Sequence, residues 1–349
     1  MFHLPPYFHS SLLYRFRARN VNFLPSFRII ETKKEGMQMK WGIIGAGNIA
    51  HRFAQSIARM ENASIAMVCG RDEEKLKRFC QRFEIGWYTL DPETLLNDPA
   101  IEAVYIALPH RLHANAVLAA LARKKPVLCE KPLAIDSEEV KMIIEAAQKN
   151  DTLCMEAMKE RFTPAYHALK HALRARTPAY LDVTMDRQFA YDPDSYVYQT
   201  PGGGILLDCG VYGIALMQDL MKDRKLLDVA CESRVAHGVD VFDRVIFTYE
   251  GATCAMECAC DRTKDVQAVI GAKTWSITIP NFHRAEGWTL EENGMANPFV
   301  YPYEQDDFYG EIAHFEQLVR EGKKESDIMP LQDSLACAQM MDRIARESK

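Results

Sequence analysis

"WGIIGAGNIAHRFA", residues 41–54, decides how the rest of the chain is read. Trp41 to Ile44 make an apolar run of strand length, and Gly45-Ala46-Gly47-Asn48-Ile49-Ala50 then spells G-x-G-x-x-A at the start of a helical pattern. Gly45 and Gly47 let the backbone turn tightly and approach a pyrophosphate, whose charge the free N–H groups and dipole of a helix starting at Asn48 and Ile49 stabilise. Alone, such a match is weak. Directly after the first strand of a strand-helix-strand series it becomes a strong signal for dinucleotide binding.

The series continues. "SIAMVCG", "AVYIALP", "PVLCE" and "TLCMEA" alternate with amphipathic stretches near 48–59, 72–83, 111–123 and 136–149. Short apolar strands flanked by helices imply a doubly wound parallel sheet of Rossmann type over residues 39–160. After about residue 160 the rhythm changes. Helical patterns near 164–176 and 204–221 precede consecutive alternating segments, "RVIFTYE", "TCAMECA", "DVQAVIG" and "WSITIP". These predict an α+β domain with a mostly antiparallel open sheet over 161–349, closed by helices near 308–320 and 331–346. The fold class is therefore α/β with an α+β second domain, whose C-terminal helix is expected to pack back on the first.

With 349 residues, 48% hydrophobic and 26% charged, the chain has the profile of a globular protein of roughly two domains. No apolar run approaches the ~18 residues of a membrane-spanning helix. Residues 1–38 carry six basic residues (Arg15, Arg17, Arg19, Arg28, Lys33, Lys34) against Glu31 and Glu35, a net +4, so the remaining chain holds −10 of the total −6. An acidic body without a basic stripe is a poor match to nucleic acid. The first 38 residues show neither helical nor strand period and are read as an extension outside the fold. Arg without acids is also what a transit peptide shows, and codons for "KEG" ahead of Met39 can spell a ribosome-binding site. The ten scattered cysteines read as reduced thiols of a cytoplasmic protein. Cys254, Cys258 and Cys260 share an even-numbered strand face with Met256, and without a C-x-x-C pair no metal site is expected.

Four further stretches carry chemistry. In Cys69-Gly70-Arg71-Asp72, at the end of the second strand, Arg71 favours the phosphate of NADP, while Asp72 keeps NAD open and is equally suited to cap the following helix. "ALPHRLHANAV" places Leu108, His110 and His113 at another strand end, His113 as the expected cofactor-pocket wall. "CEKP" puts Glu130 and Lys131 at the carboxyl edge of the sheet, where both are expected to project toward the nicotinamide end of a bound cofactor, with Pro132 restricting the Lys131 backbone. "PGGGILLDCGVYGIALMQDL" sets Asp208 and Tyr212 four apart, hence on one face of an α-helix. A buried Asp needs a cation, and a phenol of pKa about 10 needs a neighbouring charge to exchange protons near neutrality. Lys131 is expected to supply both and to lower the Tyr212 pKa.

Together "WGIIGAGNIAHRFA", "VLCEKPLA", "MEAMKERFTPA", "GGGILLDCGVY" and "GKKESDIMPLQDS" resemble the glucose-fructose oxidoreductase, inositol dehydrogenase and rhizopine-catabolism (Gfo/Idh/MocA) family, in its order, from Met39 to the C-terminus. The look is nearest to the branch of dimeric dihydrodiol dehydrogenase and NADP-dependent xylose dehydrogenase. The resemblance implies hydride transfer between NADP (or NAD) and a secondary alcohol or carbonyl of a sugar, polyol or diol, and a homodimer. It implies Lys131, Asp208 and Tyr212 as catalytic residues and Arg161 near the substrate cleft. The family also includes a non-catalytic galactose regulator and an NAD-dependent glycosidase. "SYVYQTPGGG", residues 195–204, departs from the Arg-containing run expected there.

Overall fold

The computed structural model describes residues 38–347, so the extension read over 1–38 lies outside the described residues except for its last one. The first sheet contains β1 (Met39–Ile44), β2 (Ala63–Cys69), β3 (Trp87–Thr89), β4 (Ala103–Ile106), β5 (Val127–Glu130) and β6 (Cys154–Ala157). Its helices are α1 (Asn48–Ile57), α2 (Glu73–Phe83), α3 (Pro92–Asn97), α4 (His113–Ala122) and α5 (Ser137–Asn150). The strands are parallel in the order β3-β2-β1-β4-β5-β6, the doubly wound order with its topological switch between β1 and β4. β4, β5 and β6 are buried along their whole length because helices cover both faces. α1 buries Ala50, Phe53, Ala54 and Ile57, the stripe that its apolar spacing dictates, and Phe53 stacks on Tyr105 of β4 with ring centroids 3.8 Å apart. Side chains of Asp72, Asp91 and Asp136 cap α2, α3 and α5.

The second sheet has eight strands: β7 (Tyr180–Asp186), β8 (Leu226–Ala236), β9 (Val239–Tyr249), β10 (Ala252–Ala259), β11 (Gln267–Ala272), β12 (Trp275–Pro280), β13 (Gly287–Glu292) and β14 (Met295–Val300). Every neighbouring pair is antiparallel except β7 with β10. On β10, Cys254, Met256 and Cys258 are fully buried on one face, so these thiols serve as core. α6 (Pro164–Leu173) precedes this sheet, and α7 (Val211–Met221) lies within the same region. A π-helical turn, Leu206–Gly210, leads into α7 where the sequence period predicts a continuous α-helix. The last helices, α8 (Tyr309–Arg320) and α9 (Leu331–Glu347), return to the first sheet. Trp41 Nε1 of β1 donates to Glu316 of α8 at 3.0 Å, and the Ser137 N–H of α5 donates to Asp342 of α9 at 3.1 Å. No helix among the described residues is long and apolar enough to cross a membrane.

The turn after β1 sets the crevice. Gly45 has φ +108°, its N–H donates to the Cys69 carbonyl of β2 at 2.8 Å, and a Cβ there would lie 2.2 Å from the Ala107 carbonyl oxygen. Only glycine fits. We predict that Gly45→Ala lowers the unfolding free energy by about 2 kcal/mol or more, from backbone strain plus the forced shift at Ala107. Urea unfolding followed by fluorescence checks this, and an unchanged midpoint would contradict it.

Candidate active site

At the carboxyl end of the first sheet, β5 ends in Glu130, and the next residue, Lys131, precedes Pro132 through a cis bond. Its ammonium donates to the Asp208 backbone carbonyl and to Asp208 Oδ1 at 3.3 Å. The cation that a buried Asp requires is thus present. Two more groups converge on the same carboxylate. Tyr196 Oη donates to Oδ1 at 2.8 Å, and His110 Nε2 stands 3.9 Å away. His110 is held by the Gly202 carbonyl at 2.9 Å from Nδ1, and Arg111 reaches Gln199 Oε1 at 2.8 Å. The segment between β7 and the π turn is therefore fastened to the end of β4.

Charge states follow from this packing. Burial alone would raise the Asp208 carboxyl, but Lys131, His110 and the Tyr196 hydroxyl outweigh it and hold the pKa down to about 2. Burial alone would lower Lys131, yet Asp208, Cys209 and Glu130 outweigh that and raise it. Burial and the Lys131 charge push His110 down to about 3. At neutral pH the cluster is an ammonium, a carboxylate and a neutral imidazole.

Tyr212 departs from the sequence expectation. The Lys131 ammonium lies over its ring, 5.0 Å from the centroid, but burial raises the phenol well above its ordinary value, and Glu130, Glu160, Glu311 and Asp208 push the same way. Lys131 is engaged by Asp208, so it does not turn Tyr212 into a phenolate in the free protein. The π turn also means that Asp208 and Tyr212 are not successive positions on one α-helical stripe.

Arg161 is not brought to this cluster. Its side chain is fully buried, and its guanidinium donates to Asp333 at 2.5 Å, Gln218 at 2.7 Å and the Ala215 carbonyl at 2.9 Å. The 3₁₀ turn at Lys159–Phe162 directs it inward, where it ties α7 to the start of α9. His113 is likewise fully buried rather than a pocket wall: its two ring nitrogens face the Pro132 and Leu108 carbonyls, both at 2.7 Å. Glu130 is buried and accepts from Tyr105 Oη at 2.5 Å.

The residues around the glycine turn fit a dinucleotide. The missing Cβ of Gly47 faces open space, Asn48 is exposed, and Ile49 and Leu108 are partly exposed. Beyond the end of β2, Arg71 is exposed, while Asp72 Oδ1 accepts the Lys75 N–H at 3.0 Å as the cap of α2. Beneath the site lies a group of residues that the sequence reading missed. Lys159 pairs with Asp307 at 3.1 Å, Arg52 with Asp307 at 2.6 Å, and Glu311 is fully buried with neither carboxyl oxygen hydrogen-bonded. Burial and Glu130 raise the Glu311 pKa well above its ordinary value. Tyr196 was also missed, because no local signal marks which side chain of a loop turns back to the site.

A Rossmann sheet with a glycine-turn cradle and a lysine, carboxylate and tyrosine at its carboxyl edge defines a nicotinamide-dinucleotide oxidoreductase. The model of the oxidoreductase family with an NAD-binding Rossmann fold (Gfo/Idh/MocA) matches residues 39–158. Trans-1,2-dihydrobenzene-1,2-diol dehydrogenase of Mus musculus is 30% identical over 88% of this chain and 96% of its own, and its Xenopus laevis counterpart 32% over 88% and 97%. The scyllo-inositol 2-dehydrogenase (NADP(+)) of Bacillus subtilis is 28% identical over 88% and 97%. The structure of a 3-ketoreductase from Actinomadura kijaniata, with NADP and TDP-benzene, superposes with a TM-score of 0.81 at 24% identity over 89% of this chain and 98% of that one. The chain belongs to the Gfo/Idh/MocA oxidoreductase family.

These charge states set a pH dependence. Asp208 and His110, at about 2 and about 3, titrate well below neutrality, and burial raises Tyr212 above its ordinary value, so none changes state in the neutral range. With Tyr212 as the expected proton donor, reduction needs its protonated form, which a raised pKa supplies throughout that range. Oxidation needs the deprotonated form, whose fraction grows about tenfold per pH unit below the pKa. We predict that kcat/KM for reduction is flat from about pH 6 to 8 while log kcat/KM for oxidation climbs with slope about +1. PH–rate profiles in both directions test this, and a limb near pH 6.5 in reduction would assign the proton to another group.

Proposed function

We propose that this protein is an NADP-dependent dehydrogenase/reductase that interconverts a secondary alcohol and a carbonyl of a sugar, polyol or trans-dihydrodiol. The observation that carries the reading is the convergence of Lys131, Asp208 and Tyr212 beside the glycine-turn crevice. The named activities of the mouse, frog and Bacillus relatives support the substrate class. The preference for NADP rests on the end of β2, where Arg71 is exposed for a phosphate and Asp72 is engaged as a helix cap rather than offered to a ribose.

Bound against Gly45, Gly47, Asn48 and Ile49, the coenzyme supplies the hydride acceptor or donor. The chain does the rest. Tyr212 holds the proton that the substrate oxygen gains in reduction and takes it back in oxidation. Lys131, charged and adjacent, stabilises the oxygen as it becomes an alkoxide. Asp208 fixes the lysine through its carboxylate and its backbone carbonyl. The same reading includes a cytoplasmic homodimer, a pairing that sedimentation analysis checks.

A spectrophotometric screen of aldoses, polyols and diols with NADP and NAD in parallel is the primary test. We predict turnover with NADP, and losses in kcat/KM of roughly 10²- to 10⁴-fold for Lys131→Met and Tyr212→Phe. Parental rates in both variants would sink the scheme. Arg71→Ala should weaken NADPH binding about tenfold or more, the scale of a charge-assisted phosphate contact, with a far smaller effect on NADH. Coenzyme fluorescence titration measures both.

A further inference from the structure

The carboxylate of Asp208 is almost closed off. Its Oδ1 receives Tyr196 and Lys131 and faces His110, and its Oδ2 is approached by Cys209 Sγ at 3.6 Å. Asp208 is 8% exposed and the His110 ring 4% exposed, whereas Tyr196 is 38% exposed although its hydroxyl is turned inward. The Tyr196 ring stands edge-on to His110, with centroids 4.9 Å apart. Its position is set from both sides: the Gly204 N–H donates to the Val197 carbonyl at 2.8 Å, and Gln199 and Gly202 are tied to Arg111 and His110. Tyr196 therefore runs from the surface inward, with its hydroxyl oxygen at the Lys131–Asp208 cluster.

A phenol has one proton. Tyr196 donates it in a hydrogen bond to Asp208 Oδ1, and its oxygen retains only acceptor capacity. We propose that Tyr196 is a specificity-determining residue that accepts a hydrogen bond from a second substrate hydroxyl, on the carbon next to the reacting one. The inference rests on the oxidoreductase reading and narrows it to vicinal diols. An ether or a bare methylene at that carbon cannot donate, and a site built to pair a hydroxyl rejects analogues lacking it. Burial and Asp208 raise the Tyr196 pKa, so the phenol keeps its proton and directs it at the carboxylate.

The test compares trans-1,2-cyclohexanediol, trans-2-methoxycyclohexanol and cyclohexanol as substrates with NADP, for the wild type and Tyr196→Phe. The wild type is expected to favour the diol over both others by about 10- to 100-fold in kcat/KM, mainly through KM, the scale of one hydrogen bond in a charge-linked network. In Tyr196→Phe the preference should collapse to within about threefold, since only the phenolic oxygen is removed. NADPH titration of the variant checks that the fold survives, and the wild-type ratio stands as a test even if it does not. Equal use of diol and methoxy ether by the wild type, or an equal loss on all three compounds in the variant, would overturn the inference. A wild type that oxidises none of them and nothing else in the polyol screen would instead overturn the oxidoreductase reading, and this inference with it.

Discussion

A buried ammonium and a buried carboxylate, Lys131 and Asp208, join the carboxyl end of the Rossmann sheet to the helix that faces it from the second region. Each side chain is only 11% exposed. Such a pair is not an efficient source of stability, because removing two ions from water costs about as much as their attraction returns. Losing one partner is another matter, leaving an uncompensated charge at a cost of about 3–5 kcal/mol. The geometry around the pair follows from that constraint. The π turn brings the Asp208 carbonyl as well as its side chain to the ammonium, and burial of both ions keeps their interaction strong.

The Rossmann side is braced to match. His113 opens α4 with both ring nitrogens against carbonyls, Leu108 after β4 and Pro132 after β5. A neutral imidazole donates from one nitrogen only, so one of these contacts is satisfied at any time unless the ring takes a second proton, which burial opposes. Either way the ring spans the ends of two adjacent strands, one preceding the His110 turn and the other preceding Lys131. His110 continues the chain of contacts to Gly202, and Arg111 to Gln199. The loop carrying Tyr196 is thus referenced to the strand ends that also position the lysine. Beneath, Arg161 ties α7 to Asp333, so the helix bearing Tyr212 is anchored from its far side.

Much of this was legible in the sequence, for a physical reason. The glycine turn, the "CEKP" strand end and the Asp208–Tyr212 helix are local signals, since strand termination and close backbone approach leave marks within a few residues. What escaped was non-local. Tyr196 meets Asp208 because a loop doubles back, which spacing does not encode. Arg161 looked like a cleft residue, yet a 3₁₀ turn decides its direction. The proton affinity of Tyr212 depends on Glu130, Glu160 and Glu311, which are far apart in the chain and adjacent only in the fold. A π turn adds one residue to a helical period, too little to separate from an α-helix by apolar spacing. The edge strand β3 has three residues with mostly exposed side chains, so no alternation announced it.

The division of labour between Lys131 and Tyr212 follows from the same non-local field. In the proposed reaction a lysine whose pKa is raised stays charged near neutrality, and a tyrosine whose pKa is raised stays mostly protonated and accepts a proton only from its minor deprotonated form. Their roles separate once the substrate oxygen is considered. An oxygen between them becomes anionic as hydride leaves the donor in reduction, and a fixed cation nearby stabilises that charge without any reorganisation. The phenol, kept neutral by the acids around it, then has a proton to give. In oxidation the ammonium favours ionisation of the substrate hydroxyl for the same electrostatic reason, and deprotonated Tyr212 is the acceptor of that proton. With Tyr212 in its proposed role, the burial and neighbouring acids that hold it protonated bias the free protein toward the state ready for carbonyl reduction, and alcohol oxidation begins from the less populated deprotonated state.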